Sequence, residues 1–181
     1  MSKTSAVAAK ALTSSHFELF GLVPAFALDV ARLESAYRDI QSKVHPDRFA
    51  HAGDAERRAA MQMTTRVNEA YRTLKSPVQR ARYLLEMNGV DAGFETNTAM
   101  PPEFLMQQME LREALETARD VDALGLLEKR IFQEKEAIEA RIARCIDGER
   151  DFAAAAGLVR KLMFLDRLDE EVNEVYEALD G

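Results

Sequence analysis

Two amphipathic segments separated by His45-Pro46-Asp47 constrain the first half of this chain more than any other feature. Before the tripeptide, Val30, Leu33, Tyr37, Ile40 and Val44 recur at spacings of three and four, which puts them on one face of a helix. After it, Ala60, Met63, Val67, Ala70, Tyr71 and Leu74 do the same. Proline lacks the amide hydrogen a helix interior needs, and its ring drives the preceding residue toward extended geometry. His45 is therefore predicted to close the first helix. The tripeptide, followed by Arg48 and Phe49, then sits at the tip of an antiparallel helical hairpin.

Flanking signals complete a first module over residues 15–87, preceded by a flexible tail at 1–14. A short helix is expected around Ser15–Phe20, ended by Gly21 and Pro24. Asp29 is a good N-cap for the helix that runs to about Lys43, and the next should span Asp54 to Leu74. Ser76-Pro77 is a further start signal, a cap followed by proline in the first turn. From it, Val78, Ala81, Leu84 and Leu85 trace an apolar face to about Met87. Residues 88–101, with their glycines, a proline and scattered polar side chains, read as a linker.

Residues 102–181 read as three more helices: Pro102 to Arg119, Val121 to Ile146 and Arg150 to Leu179. Leu124, Leu127, Ile131, Ile138, Ile142 and Cys145 share a face of the second. Leu158, Leu162, Leu165, Leu168, Val172, Tyr176 and Leu179 share one of the third. The expected fold is all-α, a helical hairpin module followed by an antiparallel three-helix bundle.

Composition narrows the function. Apolar residues are 47% of the 181, ample for a core in each of two small modules. Residues 15–87 carry 11 Lys and Arg against 9 Asp and Glu, a balance of +2, while residues 88–181 carry 11 against 22, a balance of −11. Such a split points to two modules with different partners, and the acidic half argues against nucleic acid. The single cysteine, Cys145, rules out a disulfide within one chain and reads as a buried helix position. The three histidines have no metal-ligand spacing, and no glycine-rich phosphate loop is present. The N-terminus has no apolar run like that of a signal peptide, and no segment approaches the roughly 20 apolar residues that cross a bilayer. The expectation is a cytoplasmic protein with no membrane contact, no metal and no cofactor.

One surface is not explained by the core. At about 100° per residue, Phe104, Leu111, Leu115 and Ala118 form the inward stripe of their helix. Leu105, Met106 and Met109 fall outside it, beside Glu110, Glu113 and Glu116, and Phe164 lies off the stripe of its own helix. Apolar groups ringed by acids suit a partner-docking patch, to which methionine adapts well. The other reading at this point is that these residues widen the core or pack on the first module.

Helix, HPD loop and helix in this order resemble a J domain, the module with which co-chaperones switch on DnaK-type ATPase chaperones. The match is closer than that. Phe17-Glu18-Leu19-Phe20-Gly21-Leu22, Asn68-Glu69-Ala70-Tyr71 and Arg80-Ala81-Arg82-Tyr83-Leu84-Leu85 in the first module resemble the HscB family of iron–sulfur co-chaperones. So do Phe104-Leu105-Met106-Gln107-Gln108-Met109-Glu110-Leu111-Arg112-Glu113 and Arg160-Lys161-Leu162-Met163-Phe164-Leu165-Asp166 in the second. The resemblance spans about residues 15–180.

It implies a J domain that engages the DnaK-type chaperone HscA and stimulates its ATPase, and a C-terminal bundle that holds IscU, the iron–sulfur scaffold. The chaperone contact falls on His45, Pro46 and Asp47, supported by Tyr37, Arg38, Lys43 and Arg48. The scaffold contact falls on Leu105, Met106, Met109, Glu110, Glu113 and Phe164, largely the patch left unexplained above. Ser42, where the family commonly has a basic residue, and Thr117, where an acid often follows, depart from the pattern. Some eukaryotic relatives carry an N-terminal cysteine-rich zinc segment; the tail here has no cysteine, so a bacterial setting without zinc is expected. The working unit is expected to be a monomer, with weak self-association as the variation. A general J protein would need a peptide-binding groove or zinc ribbon, and an enzyme built on His45 and Asp47 would need further ligands or a nucleophile. The sequence offers neither.

Overall fold

The computed structural model describes residues 14–45, 49, 52–91 and 101–180. These form helices α1 (His16–Leu19), α2 (Val30–Val44), α3 (Asp54–Lys75), α4 (Pro77–Met87), α5 (Pro102–Thr117), α6 (Val121–Ala143) and α7 (Phe152–Asp180), with no strand among the described residues. The chain divides into two compact units between Tyr83 and Leu84, inside α4.

In the first unit, local chemistry sets the helix ends. Ser15 and Glu18 form a capping box at α1: Glu18 N donates to Ser15 Oγ at 3.2 Å, and Ser15 N to Glu18 Oε2 at 2.8 Å. Beyond α1, Leu22 N donates to Phe17 O and Gly21 N to Glu18 O, a Schellman closure that needs left-handed backbone at Gly21, where φ is +63°. Asp29 caps α2 by accepting from Arg32 N at 3.1 Å.

The pairing of α2 with α3 is antiparallel, as the cross-helix contacts show. Glu34 meets Lys75, Tyr37 meets Tyr71, Gln41 meets Asn68 and Val44 meets Thr64, so the numbers rise on one helix as they fall on the other. Phe17, Leu33, Val67, Ala70, Leu74 and Ala81 are fully buried there. Arg80 is buried too, donating from Nη1 to Leu74 O at 2.7 Å while its guanidinium lies over the Phe26 ring. Val30, expected on the inner face of α2, is exposed instead; at the first residue of the helix it has no turn before it to cover it.

The second unit is an up-down-up bundle. Gln107–Glu134 and Glu110–Arg130 contacts make α5 and α6 antiparallel, and Lys135 contacts with Asp166 and Asp169 do the same for α6 and α7. Leu111, Leu124, Leu127, Ile131, Leu165, Leu168 and Val172 form its central core.

Three details differ from the periodic reading. Helix α6 does not run regularly to Ile146; it widens into a π-helical turn over Arg144–Glu149 that ends at Arg150 in left-handed backbone, φ +58°. Asp151 N then donates to Cys145 O at 2.8 Å, which closes the turn. Cys145 consequently lies on a widened turn and is only partly buried, not a core position. Leu179, in phase with the α7 core, is 47% exposed because it lies in the last turn of that helix. No helix among the described residues is long and apolar enough to cross a membrane, and no three of their His, Cys, Asp and Glu side chains are grouped so that they could hold a metal ion.

Candidate functional site

In the first unit, α2 stops where the sequence says it must. His45 follows its last turn in extended backbone, φ −55° and ψ 130°, and is exposed. Pro46, Asp47 and Arg48 lie outside the described residues. The helix end before them is held by α3: Thr64 Oγ1 is 3.1 Å from Val44 O and 2.9 Å from Ala60 O, its one proton shared between the two carbonyls. Periodicity gives no sign of this tie, because it depends on how the two helices register.

The supporting candidates separate into two kinds. Arg38 and Lys43 are exposed and available to a partner. Tyr37 is half-buried and engaged internally: its ring stacks on Tyr71 with centroids 4.0 Å apart, and its hydroxyl donates to Asn68 Oδ1 at 3.0 Å while accepting from Gln41 Nε2. It fixes α2 on α3 and so helps to hold the helix that ends at Val44. At the far end of the pair, hydrogen bonds from Lys75 to Tyr71 and then Glu34 hold the Lys75 ammonium above its ordinary pKa.

In the second unit, Leu105, Met106 and Met109 are 45, 64 and 72% exposed, while Phe104 on the same helix is 2% exposed. They do not widen the core. Glu110 and Glu113 are exposed beside them; Glu110 is drawn toward Arg130 of α6 at 3.5 Å, and the other carboxylate of that cluster, Glu134, accepts from Gln107 at 2.6 Å. Phe164 on α7 is partly buried against the core, meets Phe104 edge to face, and is covered by the Arg112 guanidinium 5.7 Å from its ring centre. Arg112, also 3.3 Å from Glu171, is a member of this surface that pattern reading passed over. The geometry is an apolar ridge with acids on its outer side and one aromatic ring seated in the core, suited to contact rather than to catalysis.

Comparison with known proteins is decisive. A DnaJ domain profile matches residues 15–83, and a profile described as the HSCB C-terminal oligomerisation domain matches residues 100–173. The chain belongs to the HscB family of co-chaperones. It is 54% identical over 172 residues to a co-chaperone HscB homolog of Burkholderia multivorans, covering 93% of this chain and 98% of that one. A homolog from Azoarcus is 49% identical, covering 94% and 98%. Among solved structures, chaperone HscB from Vibrio cholerae superposes with a TM-score of 0.82 at 37% identity, covering 92% and 99% of the two chains. Human co-chaperone HscB gives 0.87 at 27% identity, over 91% and 83%. An HscB co-chaperone has a J domain that regulates the ATPase of an Hsp70-type partner, and the family serves iron–sulfur cluster assembly.

Proposed function

We propose that this chain binds the scaffold IscU through its second unit, delivers it to HscA, and accelerates ATP hydrolysis by that chaperone through His45, Pro46 and Asp47. It carries out no chemistry of its own, works in the cytoplasm as a monomer with weak self-association as the variation, and needs no metal or cofactor. The observation that carries the reading is the exposed Leu105–Met106–Met109 ridge on a helix that buries Phe104 and Leu111 in the core. Exposing three large apolar side chains together costs solubility unless a partner covers them.

The two contacts work differently. A carboxylate at Asp47 accepts charge-assisted hydrogen bonds from a partner arginine, and the Pro46 ring limits the ordering entropy lost on docking. Arg38, Lys43 and Arg48 add attraction to an acidic chaperone surface, with Tyr37 holding the helix that presents them. At the scaffold contact, Leu105, Met106, Met109 and Phe164 supply buried area, while Glu110 and Glu113 orient basic groups of the partner.

The test is steady-state ATP hydrolysis by HscA, with and without this protein and IscU, using Asp47→Ala and Met109→Ala variants. Synergy between the two added proteins, abolished by Asp47→Ala and reduced by Met109→Ala at limiting scaffold, is the expected result. Stimulation indifferent to IscU and to Met109 would overturn the scaffold assignment, and no stimulation at all would overturn the chaperone assignment.

A further inference from the structure

Where α5 ends and α7 approaches its last turn, the second unit has a groove of about 510 Å3 lined by none of the residues assigned above to scaffold binding. Its apolar lining is Leu115, Ala118 and Val175, partly buried against the core, with Ala178 and Leu179 exposed beside them. Its rim is acidic, formed by Glu116, Glu171 and Glu174. The one cation among the lining residues, Arg119, makes no ion pair with these carboxylates. Its Nη1 donates to the backbone carbonyls of Glu116 and Ala118 at 2.8 and 3.3 Å and closes the end of α5. Glu171 is shared by Arg112 and Arg167, at 3.3 and 3.5 Å. Glu116 and Glu174 make no ion pair with any described residue, so both carboxylates beside the apolar lining are left for a cationic partner.

We propose that this groove docks a basic amphipathic helix of a partner protein. A cavity of this volume accepts a few aliphatic side chains, and lysine or arginine on the flanking turns of the same helix would reach Glu116 and Glu174. Charge decides among the occupants. Anionic ligands and nucleic acid are repelled by the rim, and a second copy would bring a C-terminal region whose own balance is −11. A cationic helix gains both from the apolar lining and from the field. The proposal does not depend on either partner named under the proposed function.

The test uses the full chain and a fluorescent helical peptide with leucine on one face and lysine on the other. A second peptide has the same composition in an order that destroys the apolar face. The protein variants are Glu116→Lys/Glu174→Lys, Ala178→Trp to fill the groove, and Met106→Ala/Met109→Ala on the separate ridge. Expected are saturable binding of the first peptide and about tenfold weaker binding to each of the two groove variants. The ridge variant should bind as the parent does. Hydrogen-exchange protection on peptide addition should fall on residues 115–119 and 171–179, a readout that does not rely on any variant folding. Equal binding of the disordered-face peptide would reduce the effect to diffuse attraction and overturn the proposal. So would protection confined to residues 105–113. Self-association of the parent that the groove variants abolish would replace the partner helix with a second copy and likewise overturn it.

Discussion

Phe104 and Phe164 meet edge to face, their ring centroids 5.7 Å apart and their planes at 88°, and this contact ties the exposed ridge of the second unit to its core. Phe104 is buried, whereas Phe164 is only partly so and carries Arg112 on its outer side. One aromatic ring thus serves the fold and the candidate interface together.

Phe164→Ala and Met109→Ala should therefore separate. Removing Phe164 loses the edge-to-face contact and part of a core side chain, and about 2 kcal/mol of folding stability with them. Scaffold affinity should fall in the same variant. Met109 is 72% exposed, so Met109→Ala should leave stability within about 0.5 kcal/mol of the parent while weakening scaffold binding by about 1–3 kcal/mol. Urea denaturation and calorimetric titration of IscU measure the two quantities. A Met109→Ala variant that loses stability but not affinity would make the ridge structural.

Gly21 is a backbone requirement without a packing one. No atom lies within 4 Å of the position an added Cβ would occupy, yet φ is +63°, where L side chains are strained. Gly21→Ala is expected to destabilise the protein by about 1–2 kcal/mol, all of it conformational. Gly21→Asn should recover part of that loss, since asparagine tolerates this region better. Equal destabilisation by both would mean that space, not backbone angle, is limiting.

The Lys135 ammonium loses solvation by burial, but Asp166 and Asp169, at 2.5 and 3.0 Å, outweigh that loss and raise its pKa above 10.5. A folded-state pKa above the unfolded one stabilises through the protonated form. The contribution is complete below pH 10.5 and disappears as pH rises through the raised folded value. Lys135→Met should lower the urea midpoint at neutral pH, leaving two carboxylates without their cation, and should flatten the alkaline decline that the parent shows. Measuring midpoints of both proteins from neutral pH upward isolates the lysine from tyrosine titration. Parallel curves would show that this triad is too well solvated to matter.

The sequence made these elements legible in proportion to how local their causes are. Asp29 and Ser76 cap where their positions before apolar runs say they should, and α2 ends at Val44, ahead of the Pro46 in the sequence. The buried positions of α3, from Ala60 through Met63, Val67 and Ala70 to Leu74, follow the period residue by residue. The ridge was visible for the converse reason, because Leu105, Met106 and Met109 break phase with Phe104 and Leu111. Hidden were features set by another helix or by a helix end. Period says nothing about the π-helical turn at Arg144–Glu149, and nothing about which helix lies opposite Arg112 or Thr64. It also gives an end residue such as Leu179 the same weight as Leu165, although only Leu165 has neighbours on both sides.

Thr64 offers the sharpest test of whether the end of α2 is held for function. Its hydroxyl reaches Val44 O, the last helical carbonyl before His45, so it fixes from across the hairpin the point at which the chain leaves the helix. Thr64→Val keeps the shape and removes the donor, while Thr64→Ser keeps the donor and removes a methyl. Because Ala60 O retains its ordinary helical partner, Thr64→Val should cost only about 1 kcal/mol of stability. The larger effect is expected on HscA stimulation. A loop free to leave the helix at a varying angle must be ordered on docking, so the concentration giving half-maximal stimulation should rise several-fold with little change at saturation. Thr64→Ser should restore it. If Thr64→Val lowers the saturating rate instead, and Thr64→Ser fails to rescue, the tie acts on packing of the hairpin rather than on presentation of its loop.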